Sequence, residues 1–282
     1  MEIKYDSVYY SKNENTSLEK LILEDINLEL KEGKINGIIG KCGSGKTTFL
    51  ELMNVLLLPT LGSIQIGNYQ MEKNCKIKDV NNLRVELGYV FGNPKHQFFL
   101  PTVREEIAFG MKQFSYKLDK IDSRISDSLK MVGLDDSYLE RDPMKLSNGE
   151  MRKVAIASVL AFNPNILIFD EPTLGLDSIS EKSFLKMLKL LKNKYHKTIV
   201  IVTHDVNMIH KIADYLFVFY EGKKVLEGTK YEVFESELLE QYEVVRPMIM
   251  EFSYQVLKKK GIKLGYRDDV NDLIKDIYRH VS

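Results

Sequence analysis

The chain has 282 residues, of which 44% are hydrophobic and 28% are charged, and its 40 Lys and Arg residues balance its 40 Asp and Glu residues. This composition is typical of a globular protein with a substantial core, and it disfavours intrinsic disorder. A neutral balance lacks the basic excess of nucleic-acid-binding domains, so we expect no nucleic-acid partner.

Short apolar and β-branched runs predict strands, and they alternate along the chain with longer segments of helical periodicity. The predicted strands are residues 3–10, 21–30, 35–39, 87–91, 166–169, 198–202 and 215–220. Turn-rich stretches separate the early strands, whereas helical segments separate the later ones. We therefore predict an α/β fold in which an antiparallel N-terminal sheet lies beside a parallel core.

Two regions of the chain are predicted to be mainly helical. Apolar residues recur at helical spacing in Ile121, Ile125 and Leu129, which predicts a helical subdomain over about residues 98–163. Thr102 and Glu105 fit a capping box, so a helix should begin there. The pattern is helical again after residue 228. We therefore divide the chain into a main domain over residues 1–228 and a C-terminal helical appendage over residues 229–282.

The chain shows no sign of a membrane span or of export. Its apolar runs fall far short of the roughly 20 residues that cross a bilayer, and its first residues lack the basic and apolar regions of a secretory signal. Cys42 and Cys75 lack the spacing of a zinc site or a disulfide framework, so both should be reduced thiols. These observations predict a cytoplasmic location.

Residues 40–47, called the phosphate loop below, fit the pattern G-x-x-x-x-G-K-[ST] between a predicted strand and a helical run. Glycines let such a loop point its N–H groups at phosphate oxygens, and the helix dipole adds a favourable field. Lys46 should reach the β- and γ-phosphates, and the Thr47 hydroxyl should ligate Mg²⁺. An ordinary glycine-rich turn is the weaker interpretation. The predicted nucleotide-binding residues here are Gly40, Lys41, Cys42, Gly43, Ser44, Gly45, Lys46, Thr47 and Thr48.

The predicted strand at residues 166–169 runs into two carboxylates, Asp170 and Glu171. Consecutive side chains leave a strand on opposite sides, so the two groups cannot have the same role. Asp170 suits the Mg²⁺ shell, whereas Glu171 can polarise a water that attacks the γ-phosphate. A solvated strand terminus is the alternative, and the phosphate loop elsewhere in the chain makes it the weaker one.

Two further polar groups lie where a phosphate could meet them. Ser147 and Gly149 precede a helical run and can offer a hydroxyl and N–H groups to an anion, although an ordinary N-cap also explains them. His204 follows the predicted strand at residues 198–202, at the carboxyl edge where α/β proteins bind ligands. We expect His204 to donate a hydrogen bond to the γ-phosphate and to act with Lys46 and Glu171 in catalysis.

In order and spacing, these motifs resemble those of the nucleotide-binding subunits of ABC transporters. The matching segments are the phosphate loop, the signature segment at residues 146–150, the carboxylate strand at 166–171, the loop at 175–177 and His204. They cover nearly all of the main domain. Residues 88–97 and 151–157 and the helical tail look similar to the ATPases of energy-coupling factor (ECF) transporters, closest to the second of their two unlike ATPase subunits, with cobalt and nickel importer ATPases as relatives.

The resemblance implies a P-loop NTPase cassette with a RecA-like core that hydrolyses ATP with Mg²⁺. Such cassettes work as dimers, and each ATP lies between one subunit's phosphate loop and the other's signature segment. The implied partners are a second ABC ATPase subunit, a transmembrane scaffold docked between residues 91–101 and the helical subdomain, and a membrane substrate-binding subunit. The chain would lie at the cytoplasmic face of the cell membrane and energise uptake of a vitamin or other micronutrient. A soluble ABC-type ATPase and a P-loop kinase are the alternatives.

Gly92 departs from the pattern of the family, which has a glutamine at this position that reaches Mg²⁺ and the attacking water. Two interpretations are open: either Asn93 or a water molecule compensates, or hydrolysis at this subunit's site is slow. Because the other catalytic groups are present, the sequence favours impaired coupling, and it predicts that Gly92→Gln raises hydrolysis in the assembled complex.

Two other departures concern the signature and the base. Asn148 and Glu150 replace a glycine and a glutamine of the signature, which favours a heterodimer with a relative that has the regular motif. The aromatic residue that stacks on adenine falls near Lys12, which leaves Tyr9 or Tyr10 as its substitute.

Overall fold

Two sheets form the framework of the chain, whose computed structural model describes residues 1–76, 79–113, 120–262, 264–265 and 270–281. The antiparallel sheet contains β1 (Ile3–Lys12), β2 (Lys20–Glu29), β4 (Leu61–Ile66) and β5 (Tyr69–Met71), in the order β2-β1-β4-β5. The second sheet contains β3 (Ile35–Gly40), β6 (Leu87–Val90), β7 (Ile166–Asp170), β8 (Thr198–Val202), β9 (Tyr215–Tyr220) and β10 (Lys223–Thr229), in the order β10-β9-β3-β8-β7-β6. Its strands are parallel except for β10, which pairs antiparallel with β9. The predicted α/β fold is confirmed.

Three strands were not predicted from the sequence, namely β4, β5 and β10. The first two lie at one side of the antiparallel sheet, and β10 forms the edge of the second sheet. Strand β10 carries lysines and glutamates because only part of its surface is covered. It follows β9 through the two-residue turn Glu221-Gly222, in which both φ angles are positive, at 46° and 78°. This is the backbone conformation of a tight hairpin turn.

Helices cover both faces of the second sheet, and further helices form the helical subdomain. They are α1 (Lys46–Met53), α2 (Val80–Glu86), α3 (Val103–Gln113), α4 (Ile121–Met131), α5 (Asn148–Leu160), α6 (Ser178–Tyr195), α7 (Val206–Ile212), α8 (Lys230–Glu235), α9 (Leu238–Gln241), α10 (Met248–Lys260) and α11 (Val270–Val281). The backbone N–H of Glu105 donates to the Thr102 hydroxyl at 3.2 Å, so α3 begins where the capping box predicted. Within the described residues, every helix is too short or too polar to cross a membrane.

The parallel strands are buried on both faces, as their continuous apolar sequences require. In β7, Leu167 and Phe169 belong to the core shared with α5 and α6, whereas Ile166 and Ile168 belong to the core shared with α1 and the antiparallel sheet. This packing fixes the order of the strands. It places the carboxyl ends of β3, β7 and β8 side by side, and the motif residues follow those ends.

The C-terminal segment begins with a helix that is fastened to the main core. Thr229 caps α8 through a capping box with Glu232, and Phe234 on α8 is fully buried in the core that contains α5 and α6. The last described helix of this segment, α11, covers Val270–Val281. The division of the chain at residues 228 and 229 remains a prediction.

Candidate active site

A cavity of about 860 Å³ opens at the carboxyl ends of β3, β7 and β8. All five residues predicted for catalysis and metal binding line it, namely Lys46, Thr47, Asp170, Glu171 and His204. Cys42, Gly43, Gly45 and Thr48 line it as well. The fold therefore brings together groups that are as far apart in the sequence as the phosphate loop and the end of β8.

The backbone of the phosphate loop depends on glycine at two points. Gly40 has a φ of 152°, and a Cβ at this position would lie 2.1 Å from the carbonyl oxygen of Phe219. Gly45 has a φ of 96° and precedes α1 without a side-chain cap on the helix. The first N–H groups of α1 are thus left for an anion, which the helix dipole also attracts.

Lys46 is held inside this loop by backbone oxygens. Its side chain is 9% exposed, and its ammonium group donates to the carbonyl oxygens of Gly40 and Lys41, each at 2.8 Å. Burial lowers the pKa of Lys46, and the negative charge of Glu171 opposes that shift. Phosphate oxygens are stronger acceptors for a cation than carbonyl oxygens are, so a triphosphate in the cavity can replace these contacts.

The two carboxylates have different surroundings, as the alternation along β7 predicts. Asp170 is partly buried, and the Tyr89 hydroxyl donates to it at 3.5 Å. Burial, together with the charge of Glu171, raises the pKa of Asp170. Glu171 instead turns back on the end of β8, with a φ of 45°, and accepts hydrogen bonds from the Thr203 hydroxyl at 2.9 Å and the His204 backbone N–H at 3.0 Å.

His204 contacts the same carboxylate through its ring. Its Nδ1 lies 2.7 Å from Oε1 of Glu171, and its side chain is 67% exposed. An ionised carboxylate only accepts hydrogen bonds, so Nδ1 carries the proton in this contact. The other ring nitrogen can then donate to a phosphate oxygen only when the imidazole is protonated. The hydrogen bond that the sequence predicts from His204 to the γ-phosphate therefore requires its cationic form.

The oxygen donors at the mouth of the cavity fit Mg²⁺. Thr47 is exposed at the start of α1, and the pKa of the Asp170 carboxyl is raised by burial beside a second negative charge, which a divalent cation would relieve. The described residues contain no cluster of three or more His, Cys, Asp or Glu side chains that could hold a metal ion. This suits an ion that takes its remaining ligands from phosphates and water.

The signature segment is divided between two cavities, because Asn148 lines the catalytic cavity whereas Ser147 and Gly149 do not. Ser147 and Gly149 line a separate cavity of about 220 Å³, between α5 and α6. Lys41 also does not line the large cavity, and its ammonium group pairs with Glu243 in the segment after α9. Ser147 and Gly149 can therefore serve the ATP of another subunit, as the resemblance implies, but they do not line the cavity of their own chain.

Glu150 is fixed by a capping box that the sequence analysis did not predict. Its Oε2 accepts from the backbone N–H of Ser147 at 2.9 Å and from the hydroxyl of Ser147 at 2.6 Å, and its Oε1 accepts from the Tyr138 hydroxyl at 2.7 Å. These hydrogen bonds lower the pKa of Glu150 to about 2, with that from the Ser147 side chain contributing most. The charge thus stays beside Ser147, and the hydroxyl proton of Ser147 is turned towards it.

We predict that Glu150→Gln tightens ATP binding at the composite site that uses this signature segment. The amide oxygen can take the place of Oε2 and keep the bonds from Ser147, while one negative charge beside the phosphate-binding hydroxyl is lost. Glutamine also fits a capping box, so α5 should keep its start. The expected gain is about fivefold in affinity, because removing one unit charge about 4 Å from another in water is worth about 1 kcal/mol. ATP titration of the assembled dimer measures it.

Tyr138→Phe is the matched control for this prediction. It removes the second hydrogen bond to Glu150 but leaves the charge and its contact with Ser147, so ATP affinity should stay within about twofold of wild type. An affinity for Glu150→Gln that equals or falls below the wild-type value, with α5 intact by thermal unfolding, contradicts the prediction.

Gly92 lies where a side chain has no room. A Cβ at this position would lie 2.5 Å from the carbonyl oxygen of Asp170, closer than any real Cβ contact allows. Gln97 does not replace the missing glutamine, because its side-chain amide donates to the Ala155 carbonyl and the Ser158 hydroxyl on α5. Asn93 lines the cavity, so its side chain is in a place where it can substitute for the missing glutamine. The expectation that Gly92→Gln raises hydrolysis is therefore reversed.

We predict that Gly92→Gln lowers ATP hydrolysis. The added Cβ must displace the main chain at Asp170 and Glu171, and misplacing catalytic groups by about an ångström costs on the order of 10²-fold in rate. Gly92→Ala introduces the same Cβ without an amide, so it should show a similar loss if the cause is steric. Steady-state hydrolysis of both variants in the assembled complex tests this prediction. A rate above wild type for Gly92→Gln would contradict it, because the main chain would then have made room for the Cβ without loss of activity.

Tyr9 and Tyr10 are the residues that the sequence offers for the adenine contact. Tyr9 and Tyr10 are partly buried in β1, and neither lines the cavity. None of the described residues that line it is aromatic, whereas Lys20 and Ile22 of β2 do line it. No motif marks these two residues, since an aliphatic residue and a lysine in an exposed strand have no distinctive pattern. Arg152 and Leu174 also line the cavity without having been predicted.

Comparison with known proteins agrees with this architecture. The model of the ABC transporter family matches residues 23–174. The chain is 36% identical to the energy-coupling factor transporter ATP-binding protein EcfA2 of Ligilactobacillus salivarius, over 93% of this chain and 91% of that protein. It is 37% identical to the protein of the same name from Mycoplasma capricolum, again over 93% and 91%.

Solved structures give the same result. CbiO1 from Clostridium perfringens, part of the ABC transporter complex cbiONQ, has a TM-score of 0.76 and 30% identity over 92% of this chain and 95% of that chain. The dimeric ATP-binding cassette MJ0796 in a post-hydrolysis state, bound to ADP and Pi, has a TM-score of 0.70 and 29% identity over 81% and 98%.

Proposed function

The chain belongs to the ABC transporter family as an ATP-binding, ATP-hydrolysing subunit of the energy-coupling factor type, and we propose that its hydrolysis of ATP energises the uptake of a vitamin or other micronutrient through a membrane scaffold. In this proposal the chain lies at the cytoplasmic face of the membrane. Its partners are a second ATPase subunit, the scaffold and a membrane substrate-binding subunit.

The observation that carries the proposal is the separation of the catalytic groups from Ser147 and Gly149, the two signature residues predicted to bind phosphate. Lys46, Asp170 and Glu171 line one cavity, whereas Ser147 lines another. A cassette of this kind supplies only part of the surroundings of its ATP. In this proposal the remaining hydrogen-bond donors come from a second cassette, and the similar cassette MJ0796 is dimeric in its state with ADP and Pi.

In the proposed mechanism, the side chains of one chain have separate roles. Lys46 and the N–H groups at the start of α1 hold the phosphates, while Thr47 and Asp170 hold Mg²⁺, which neutralises the charge of the triphosphate. Glu171 orients the attacking water, and its bonds to Thr203 and His204 fix its direction. His204 in its protonated form stabilises charge on the γ-phosphate.

Exposed aromatic residues next to the cavity support a membrane partner. Phe91, Phe99 and Phe109, called the docking surface below, are 48%, 64% and 38% exposed, and the rings of Phe99 and Phe109 meet edge to face at 4.8 Å. Phe91 and Phe99 belong to residues 91–101 and Phe109 belongs to α3 of the helical subdomain, the two segments between which the resemblance places the scaffold. Exposed apolar groups gathered in this way are typical of an interaction site.

The composition of the native complex tests the proposed function. Isolation through a tag on this chain, followed by native mass measurement, should give two unlike ATPase subunits with membrane proteins. The second ATPase should have the regular signature, because Asn148 and Glu150 alter the motif in this one. A stable and fully active homodimer without membrane partners contradicts the proposal and favours a soluble ATPase. Phosphate transfer to a small molecule instead of water would favour a kinase.

A further inference from the structure

Arg152 connects three segments that surround the catalytic cavity. It lies in the first half of α5, two residues beyond Glu150, and is 5% exposed. Its Nη2 donates to the carbonyl oxygen of Gly92 at 2.9 Å and to that of Leu174 at 3.2 Å. Gly92 follows β6, and Leu174 immediately precedes the loop at residues 175–177. One guanidinium group therefore holds the signature helix against both segments.

The surroundings of Arg152 do not suit a residue that serves stability alone. Its Nε and Nη1 are buried without a hydrogen-bond partner among the described residues. Burial lowers the pKa of Arg152 to about 10, which shows how poorly the charge is compensated. Buried polar groups without partners destabilise a fold, and an apolar side chain of similar shape in their place is often neutral or stabilising. The unpaired N–H groups also allow the guanidinium to bind a different oxygen if these segments move.

One of the two bound segments is packed against the main chain of the two carboxylate residues, Asp170 and Glu171. The close approach of Gly92 to the Asp170 carbonyl leaves no space for a Cβ, so the main chain at residue 92 cannot move without affecting β7. On its other side, Gly92 directly follows Phe91 of the docking surface. Residue 92 therefore lies between the surface for the membrane partner and the residues of hydrolysis, although it has no side chain to join them.

We propose that Arg152 is a positioning residue that makes this connection, and this inference rests on the proposed function. By binding the carbonyl of residue 92, Arg152 transmits a shift of the docking surface to the signature helix and to the loop at 175–177. The link thus runs through backbone carbonyls and a buried guanidinium, instead of through the glutamine side chain that the family has at position 92. The same shift reaches Asp170 and Glu171 through the close approach of Gly92 to the Asp170 carbonyl.

The test compares hydrolysis by the two ATPase subunits alone with hydrolysis by the complete membrane complex, for wild type, Arg152→Met and Arg152→Lys. The ratio of the two rates measures stimulation by the membrane partner. Arg152→Met should lower this ratio by about tenfold, within the range found for single residues that couple two sites. Arg152→Lys should recover part of it, because an ammonium group can still donate to a carbonyl. The temperature of unfolding should change little in Arg152→Met, because the loss of two hydrogen bonds is offset by the removal of two buried N–H groups without partners.

Lys153→Met is the matched control. It removes the same charge from the next position of α5, where the ammonium group has only a 3.5 Å contact with the Gly133 carbonyl. Its ratio should equal that of wild type. If wild type is stimulated and Arg152→Met is stimulated equally, or if Arg152→Met unfolds at a clearly lower temperature, the inference is overturned and the proposed function stands. If the membrane partner does not stimulate wild type at all, the proposed function fails, and the inference fails with it.

Discussion

Replacing Glu171 with glutamine is expected to lower steady-state ATP hydrolysis by roughly 10²- to 10⁴-fold, the range of a lost general base. The amide keeps the shape of the side chain and can still accept from Thr203 or from His204 with its single oxygen. It cannot draw a proton from the attacking water. Binding of ATP should remain, so the dimer should accumulate in its closed form with ATP inside.

Titration with labelled ATP and a sizing experiment measure these two effects separately. Glu181→Gln is the matched control, because it removes a carboxylate on α6 whose partner is Lys211 at 3.0 Å, outside the cavity. Its turnover should match that of wild type. Normal turnover in Glu171→Gln would refute the role of Glu171, and loss of ATP binding would show that the side chain serves the structure of the site.

Lys46→Ala should impair the binding of ATP, the step before hydrolysis, and should reduce ATP affinity about a hundredfold or more. The ammonium group is buried within the phosphate loop, and it is placed to make charge-assisted hydrogen bonds to the β- and γ-phosphates. Each such bond contributes about 1.5–3 kcal/mol, so two of them account for a loss of this size. Hydrolysis at low ATP concentration should fall with the affinity.

Equilibrium binding of labelled ATP tests this prediction. Lys223→Ala removes a lysine of β10 that pairs with Glu24 at 2.8 Å and lies away from the cavity, so its affinity should be unchanged. An affinity of Lys46→Ala close to that of wild type would exclude the direct contact with phosphate. The contrast with Glu171→Gln is itself informative, because the two variants should differ in binding although both lose turnover.

The parts of this molecule that local sequence determines could be predicted. The strand at 35–40 and the glycines that follow it define the phosphate loop within about a dozen residues, and the apolar run of β7 leads into two consecutive carboxylates, of which Asp170 ends the strand and Glu171 follows it. The end of β8 could be placed at the same edge because parallel strands share one direction. These predictions need only the period of the side chains and the order of the elements.

The parts that depend on distant residues could not be predicted. One of the two hydroxyls that hold Glu150 belongs to Tyr138, in a separate turn before the helix. The lack of space at Gly92 comes from the pairing of β6 with β7, which brings the Asp170 carbonyl beside it. The contacts of Arg152 likewise depend on how α5 packs against two loops. No periodicity in the sequence indicates such contacts.

The edge strand β10 and the cavity-lining residues of β2 could not be predicted for a different reason. Strand β10 is partly exposed and rich in charge, so it lacks the apolar alternation that indicates a strand. Lys20 and Ile22 line the cavity from β2, yet their residue types are common on any half-covered strand. The position of Tyr9 and Tyr10 in β1 depends on its pairing with β2 and β4, which the sequence does not reveal.

The most direct test of this account is the rate of ATP hydrolysis, measured at equal concentrations of this chain, for the purified chain alone and for the membrane complex isolated through it. If each ATP needs the signature segment of a second cassette and a docked membrane partner, the chain alone should be slow, and the complex should be faster by at least about tenfold. A chain that hydrolyses ATP as fast alone as in the complex, at a specific rate independent of its own concentration, would contradict the account.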